Sequence, residues 1–192
     1  MLEKEVDIMR SLFYTLLPSA FGTFSLVWQE SEEGPKVHRV LFPHEQALQN
    51  MGQMAFAGES SLSCLAIKEL GERFQSFLEG EAVDFGLGIL ALEECSEFQK
   101  RVLLAEYKIP RGWISTYGRI ARYLGIPGGA RAVGRALARN PFPIIIPCHR
   151  AIRTNGELGG FRGGLKMKQA LLELEGVEFS QTGRVLTDRI YY

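Results

Sequence analysis

The sequence predicts an α/β chain in two parts. Residues 1–95 read as a small N-terminal α/β domain with an antiparallel sheet and a linker. Residues 96–192 read as a mainly helical C-terminal domain with a winged-helix-like helix-turn-helix and a short tail. Three observations predict this division. Strand signals cluster in residues 11–42, and three short helical patterns separated by turn residues fill residues 97–139. The charge also changes sign: residues 1–100 hold 7 Lys/Arg against 16 Asp/Glu, and residues 101–192 hold 15 against 6.

Taken in order, Phe24, Leu26 and Trp28 alternate with Thr23, Ser25 and Val27, an imperfect alternation because Val27 is apolar. Glu33-Gly34-Pro35 marks a turn before a second strand, Val37 to Phe42. From Ser60 to Leu78 the residues Leu62, Leu65, Ala66, Leu70, Phe74 and Phe77 fall near helical spacing, and the pattern stops before Glu79-Gly80. Asp84 to Cys95 reads as a crossing linker that ends where Ser96-Glu97-Phe98 begins a helix running to Tyr107. Ser115 or Thr116 can cap the next helix, to Leu124. Gly125-Ile126-Pro127 turns the chain into a third, Ala130 to Arg139. That is a helix-turn-helix pattern, one that also occurs in many folds that bind no DNA. Beyond it, the β-branched run before Cys148 reads as a buried strand, Lys166 to Glu175 as a last helix, and 177–192 as a polar tail with two terminal tyrosines.

Composition narrows the function classes. With 192 residues and 46% apolar content the chain can bury compact cores. No stretch approaches the ~20 apolar residues that span a bilayer, and the acidic start Glu3, Glu5, Asp7 lacks the basic flank of a signal peptide. Cys64, Cys95 and Cys148 are an odd number without metal-ligand spacing, which suits free thiols in a reducing compartment. The expectation is a cytoplasmic monomer, nuclear in a eukaryote, with no membrane, no metal and no cofactor. The basic half is the footprint of a phosphate-backbone binder; equally, two halves of opposite charge attract each other, and the two readings are compatible.

The segment Asn140 to Arg150 (Asn-Pro-Phe-Pro-Ile-Ile-Ile-Pro-Cys-His-Arg) sets a lone cysteine between a proline and a histidine. On residues alone two readings of Cys148 stand side by side. It is a nucleophile whose thiolate is favoured by the adjacent imidazole and nearby arginines, or an inert core cysteine. Other candidates have equally plain readings: Arg131 and Lys168 as solvated charges, Tyr117 as a packing residue, Glu175 as a surface carboxylate.

The same segment resembles the active-site signature of the 6-O-alkylguanine-DNA alkyltransferases, in which Pro-Cys-His-Arg carries the alkyl-accepting cysteine. The resemblance extends upstream to Ile109-Pro110-Arg111-Gly112, Ser115-Thr116-Tyr117-Gly118 and Ala130-Arg131-Ala132-Val133-Gly134. Downstream it takes in Gly163-Gly164-Leu165 and Leu171-Leu172 through Glu175-Gly176, covering about Phe98 to Gly176. It implies a repair protein that flips 6-O-alkylguanine out of double-stranded DNA and moves the alkyl group irreversibly to Cys148, once per molecule. Cys148, His149 and Glu175 would form the activating relay, and Tyr117 would rotate the nucleotide and donate a proton toward the leaving guanine.

Further roles follow from the resemblance. Arg131 would fill the vacated stack; Ala130, Ala132 and Gly134 are small enough for close approach to a minor groove, and Thr116 and Arg135 complete the DNA-binding set. Asn140 would tie the recognition helix to the active-site turn; Pro143, Phe161 and Arg162 would line the base pocket, with Lys168 in support and Arg150 structural. Arg162 stands where some members have a serine, and the zinc ligands of some animal members are missing. Two rival readings remain to be separated: a non-catalytic DNA-binding module, and a cysteine hydrolase using Cys148 and His149.

Overall fold

Aromatic and β-branched residues build the N-terminal sheet. The structure is a computed structural model that describes residues 12–45, 56–59 and 64–192. It divides into two compact units, Met1–Ala91 and Leu92–Tyr192. In the first, β1 (Leu12–Leu17), β2 (Phe24–Gln29) and β3 (Lys36–Leu41) form an antiparallel meander, and β4 (Phe56–Glu59) pairs in parallel with β1, giving the order β3-β2-β1-β4. The antiparallel sheet expected from the alternation is present. The parallel fourth strand is an addition that four residues carry too little pattern to announce.

Val27, the residue that breaks the alternation, is as buried as its neighbours Phe24, Leu26 and Trp28. β2 lies between β1 and β3 and is buried from Phe24 to Trp28, Ser25 included, as strands enclosed on both faces are. Helix α1 (Leu65–Leu78) sets Phe74 edge-on to Phe24 at 5.3 Å between ring centroids. The Ser60–Ser63 start expected for this helix lies outside the described residues. The segment expected to be a plain linker instead covers the free edge of β3. The Val37 N–H donates to the Ile89 carbonyl at 2.7 Å, and the Ala91 N–H donates to the Val37 carbonyl at 2.9 Å.

The second unit follows its local signals closely through the helix-turn-helix. The Ser96 hydroxyl accepts the Gln99 N–H at the start of α2 (Glu97–Tyr107). The Thr116 hydroxyl does the same for Arg119 at the start of α3 (Tyr117–Tyr123), which settles the choice between Ser115 and Thr116. α3 ends in a Schellman turn: Gly125 takes φ 75°, its N–H reaches Arg122, and the Ile126 N–H reaches Ala121. A side chain at Gly125 would strain that turn, which sets the angle at which α4 (Ala130–Ala138) departs.

Two expectations are corrected here. The run Ile144–Ile146 is a tight turn and not a strand: the Ile146 N–H closes onto the Phe142 carbonyl at 2.8 Å, and Ile144 sits at φ 73°. Three consecutive apolar residues do not distinguish a strand from any other buried segment, and Pro143 and Pro147 on either side leave no room for a ladder. A strand does follow the cysteine: β6 (Ala151–Ile152) pairs in parallel with β5 (Ser115–Thr116), far back in the chain.

Nor are residues 177–192 a loose polar tail. After α5 (Leu165–Leu174) they form a hairpin of β7 (Glu178–Phe179) and β8 (Val185–Leu186), then run beside β5, where the Ile114 N–H donates to the Arg189 carbonyl and the Tyr191 N–H donates to the Ile114 carbonyl. Val177 joins Ile114, Ile152, Leu158 and Leu172 in one buried cluster, against which Phe179 and Val185 pack. Sparse apolar residues spaced between charges read as tail in sequence; here each finds a partner far back in the chain.

Candidate active site

Cys148 opens a short 3-10 turn, Cys148–Arg150, immediately after the Pro143–Pro147 reversal. A β-branched residue at φ 73° is held only by its surroundings, and Ile144 is buried at 1% exposure in the core of that reversal. Asn140 fastens the two ends of the loop. Its side-chain oxygen accepts the Phe142 N–H and its amide donates to the Ile146 carbonyl, both at 2.9 Å. The same side chain also acts on the Cys148 sulfur, favouring its anionic form. Asn140, just past the end of α4, thus holds both ends of the loop that leads to the thiol.

Cys148 is 8% exposed, and burial pushes its thiol up to about 11. The Asn140 hydrogen bond and the Lys168 and Arg162 cations pull the other way without prevailing, and Glu106 adds to the rise. At neutral pH the thiol is therefore protonated, with on the order of one molecule in ten thousand as thiolate. A nucleophile in this setting needs a base. His149 is fully buried, and burial keeps its imidazole below the ordinary value despite Glu175, so it is neutral and able to accept a proton.

Glu175 caps the C-terminal end of α5 and reaches the His149 Nε2 at 2.9 Å. Arg150 grips the same carboxylate: its Nε donates to both oxygens at 3.1 and 2.9 Å, and its Nη2 donates to Oε1 at 2.7 Å. The Gly112 N–H adds a longer contact at 3.4 Å. Burial alone would raise this carboxyl, but His149 and the Arg150 fork hold it down at about 2. The ordinary surface carboxylate that Glu175 resembles in sequence is thus a buried anion locked between two partners. Arg150, expected to be structural, is the clamp that keeps it there.

Lys168 is likewise no solvated lysine. It is 0% exposed, its Nζ donates to the Ala151 and Leu158 carbonyls at 2.6 Å each, and it stands 5.8 Å from the centre of the Tyr117 ring. Burial brings it down to about 8. Tyr117, mostly buried, has its phenol raised to about 12 by burial first and then by Glu106 and Cys148, so it remains a neutral donor. The Phe161 ring lies edge-on to His149 at 6.5 Å, and Pro143 is buried.

A groove of about 830 Å³ runs along α4. Tyr117, Ala130, Arg131, Gly134, Arg135 and Arg162 all line it. Arg131 and Arg135 are exposed, one turn apart on α4, while Ala130, Ala132 and Gly134 are half-buried. Gly159 forms part of the wall at φ 69°, where a Cβ would come within 2.9 Å of the Tyr117 hydroxyl. Thr116 is 6% exposed and spends its hydroxyl on the helix cap, which makes it a helix-start residue first. Arg162 brings its charge within range of the thiol. Among the described residues no group of three or more His, Cys, Asp or Glu side chains is placed to hold a metal ion, and no helix is long and apolar enough to cross a membrane.

Residues 97–177 match the family model of the 6-O-methylguanine DNA methyltransferase DNA-binding domain. The methylated-DNA–protein-cysteine methyltransferase of Methanosarcina acetivorans is 44% identical over 109 residues, 57% of this chain and 69% of that protein. The chain belongs to the methylated-DNA–protein-cysteine methyltransferase family. The methyltransferase of the same name from Methanothermobacter thermautotrophicus is 49% identical over 113 residues, 59% of this chain. That match spans 63% of the relative's own length, a little under two thirds. Among solved structures, the Mycobacterium tuberculosis O6-methylguanine methyltransferase superposes with a TM-score of 0.68 at 32% identity, covering 85% of this chain and 92% of that one. A structure of the M. tuberculosis protein in complex with DNA gives 0.65 at 34% identity.

One buried residue of this methyltransferase-family site went unread in the sequence. Glu106 on α2 is 0% exposed, and when ionised it acts on Cys148, Tyr117 and Lys168. The signal was there: it falls three and four residues after the buried Leu103 and Val102, on the apolar face of its helix.

Proposed function

We propose that this protein repairs alkylated DNA by direct reversal, taking the alkyl group from 6-O-alkylguanine in a duplex onto Cys148. The observation that carries the reading is the buried Cys148 thiol, next in the chain to a His149 that is bonded to Glu175 and through it to Arg150, beside a groove walled by a cation-bearing helix.

In the reaction, His149 accepts the thiol proton, directly or through a water. Its Nε2–H is held by Glu175, which leaves Nδ1 as the basic nitrogen of the neutral ring. The imidazolium that forms lies against a carboxylate already ionised at any neutral pH. The Cys148 sulfur then attacks the alkyl carbon: the S–C bond forms, the C–O bond to guanine breaks, and the electron pair leaves with the guanine oxygen. Guanine recovers a proton, with the Tyr117 phenol as donor and the imidazolium proton restoring the phenol, so the proton lost by the thiol is the one that ends on the base. Lys168 and Arg162 supply positive charge while sulfur is anionic. The thioether product has no facile hydrolysis route, so one molecule reacts once.

Arg131 and Arg135 face the groove from α4 and are suited to the extruded nucleotide's vacated place and to phosphate, with Ala130, Ala132 and Gly134 allowing close approach. A monomer acting on DNA inside the cell, with its three cysteines free, fits this reading. The test is intact mass after incubation with a duplex carrying 6-O-methylguanine. The expected gain is one methyl group, mapped to the Cys148 peptide and absent from Cys64 and Cys95. Turnover beyond one equivalent points to the hydrolase, and DNA binding without mass gain points to the non-catalytic binder.

A further inference from the structure

Helix α2 turns Val102, Leu103 and Glu106 into the core, all three at 0% exposure. Two are aliphatic, as such a face requires. The third is a carboxyl whose two oxygens make no hydrogen bond. The groups that act on it electrostatically come from every element around it: Lys168 of α5, Arg150 and Cys148 of the 3-10 turn, the Ala151 N–H of β6, Tyr117 of α3 and Tyr192 near the end of the chain. Lys168 directs hydrogen bonds to the Ala151 and Leu158 carbonyls. The carboxyl is therefore near a cation without a hydrogen bond to it.

An ionised carboxylate without donors is unfavourable in such a place. Burial pushes Glu106 up to about 8, and Lys168, Arg150 and the Ala151 N–H offset only part of that rise. At neutral pH the group is a carboxylic acid. The electrostatic consequence falls on Cys148: a neutral acid leaves the Lys168 ammonium free to balance a thiolate, whereas an ionised one occupies that ammonium first and adds a second negative charge to the same small volume.

We propose that Glu106 sets the charge against which the Cys148 thiolate forms, permitting it while protonated and opposing it once ionised. This rests on the alkyl-transfer reading above. Glu106 acts through Lys168 and touches neither the alkyl group nor the base, so it is a positioning residue. No bond is made or broken at Glu106 in the transfer itself, and its own proton goes to solvent as the pH rises.

The experiment follows alkylation of Cys148 by iodoacetamide in the full chain, read by peptide mapping across about pH 6 to about pH 10, with Cys64 as an internal control. In the wild-type chain the slope of log rate against pH falls below one above about pH 8, where Glu106 ionises and Lys168, also brought down to about 8, loses its proton; the comparison with Glu106→Gln isolates the share of the carboxyl. Glu106→Gln matches wild type below about pH 7 and reacts about tenfold faster near pH 9, the effect of lowering the thiol by about one unit. Glu106→Leu, which restores the apolar face of α2, behaves like Glu106→Gln. Adding Lys168→Met removes most of the difference, since the carboxyl then stays protonated. A wild-type slope of one up to about pH 10 overturns the proposal even if neither variant folds. Superposed wild-type and Glu106→Gln profiles overturn it too. Transfer from a benzylated guanine base, measured alongside, separates the two readings: loss of transfer in every chain with diverging iodoacetamide profiles rejects alkyl transfer and not the role of Glu106.

Discussion

Arg131 and Arg135 stand in solvent on α4, whereas Arg150 and Lys168, in the same unit, are buried in fixed hydrogen bonds. The same charge serves two purposes. In the groove a cation is screened within roughly 10 Å by ordinary salt, keeps its rotamer freedom, and suits a mobile polyanion whose sequence it does not read. Beneath the turn a cation is worth more, is hardly screened, and cannot be removed without leaving its partner stranded. Recognition and chemistry should therefore respond to different perturbations, salt for the first and pH for the second. Each experiment below asks whether that division holds.

The largest effect should come from the sulfur itself. Cys148→Ser removes transfer completely and leaves duplex binding within about twofold, because the thiol makes no phosphate contact and the change lies well below 1 kcal/mol. A binding loss as large as the loss of chemistry would mean that groove and turn are a single device.

Next comes the clamp. Arg150→Met keeps much of the side-chain length but leaves Glu175 ionised and buried with His149 and the longer Gly112 contact, an imbalance of about 3–5 kcal/mol. Thermal unfolding should reveal it. The acid limb carries the sign. Glu175 is depressed from 4.5 to about 2, so its contribution, roughly 3 kcal/mol, is present above about pH 4.5 and disappears as the pH falls toward 2. In the variant the stability lost on acidification should shrink. An unchanged acid transition would show that Arg150 does not hold the carboxylate.

How much of this was legible in the sequence depended on distance along the chain. The helix starts at Ser96 and Thr116 and the stop at Gly125 were readable because caps and glycine turns act within three or four residues. The acceptor segment was readable as a string of neighbours. What could not be read was the burial of Glu175 and Lys168, whereas that of Glu106 was marked by its place on the apolar face of α2. A charged residue is buried only if a partner reaches it, and Arg150 lies 25 residues from Glu175, Ala151 17 from Lys168. Ile144–Ile146 misled for a related reason: its hydrophobicity is correct for the interior, while its backbone course is set by Asn140 and the two prolines. The hairpin after α5 and the segment that follows it leave no local signal, because their partners, Ile114 and Gly156, precede them by dozens of residues.

Product formation offers a smaller perturbation at the junction of the two regions. An alkyl group added to a sulfur that is 8% exposed must displace its neighbours, and overpacking of this kind costs about 1–3 kcal/mol. It also weakens the sulfur as an acceptor for the Asn140 amide, the link to the end of α4. The methylated protein should melt below the free one and the benzylated protein lower still. Equal melting temperatures would mean that the turn already has room for its product.

The smallest and most discriminating effect belongs to the groove. If Arg135 neutralises a single phosphate, Arg135→Ala reduces the slope of log binding constant against log salt by about 0.9 and weakens binding similarly on methylated and unmethylated duplexes. Arg131→Ala should differ in kind. A side chain that fills the place of an extruded base offsets part of an unstacking penalty of a few kcal/mol, so its loss slows repair in the duplex while sparing reaction with the free modified base. Neither variant should move the pH dependence of Cys148, since both arginines sit in solvent where salt screens them from the thiol. A shift of that profile in Arg135→Ala, or a salt slope altered by Arg150→Met, would show that the solvated and buried cations are coupled after all.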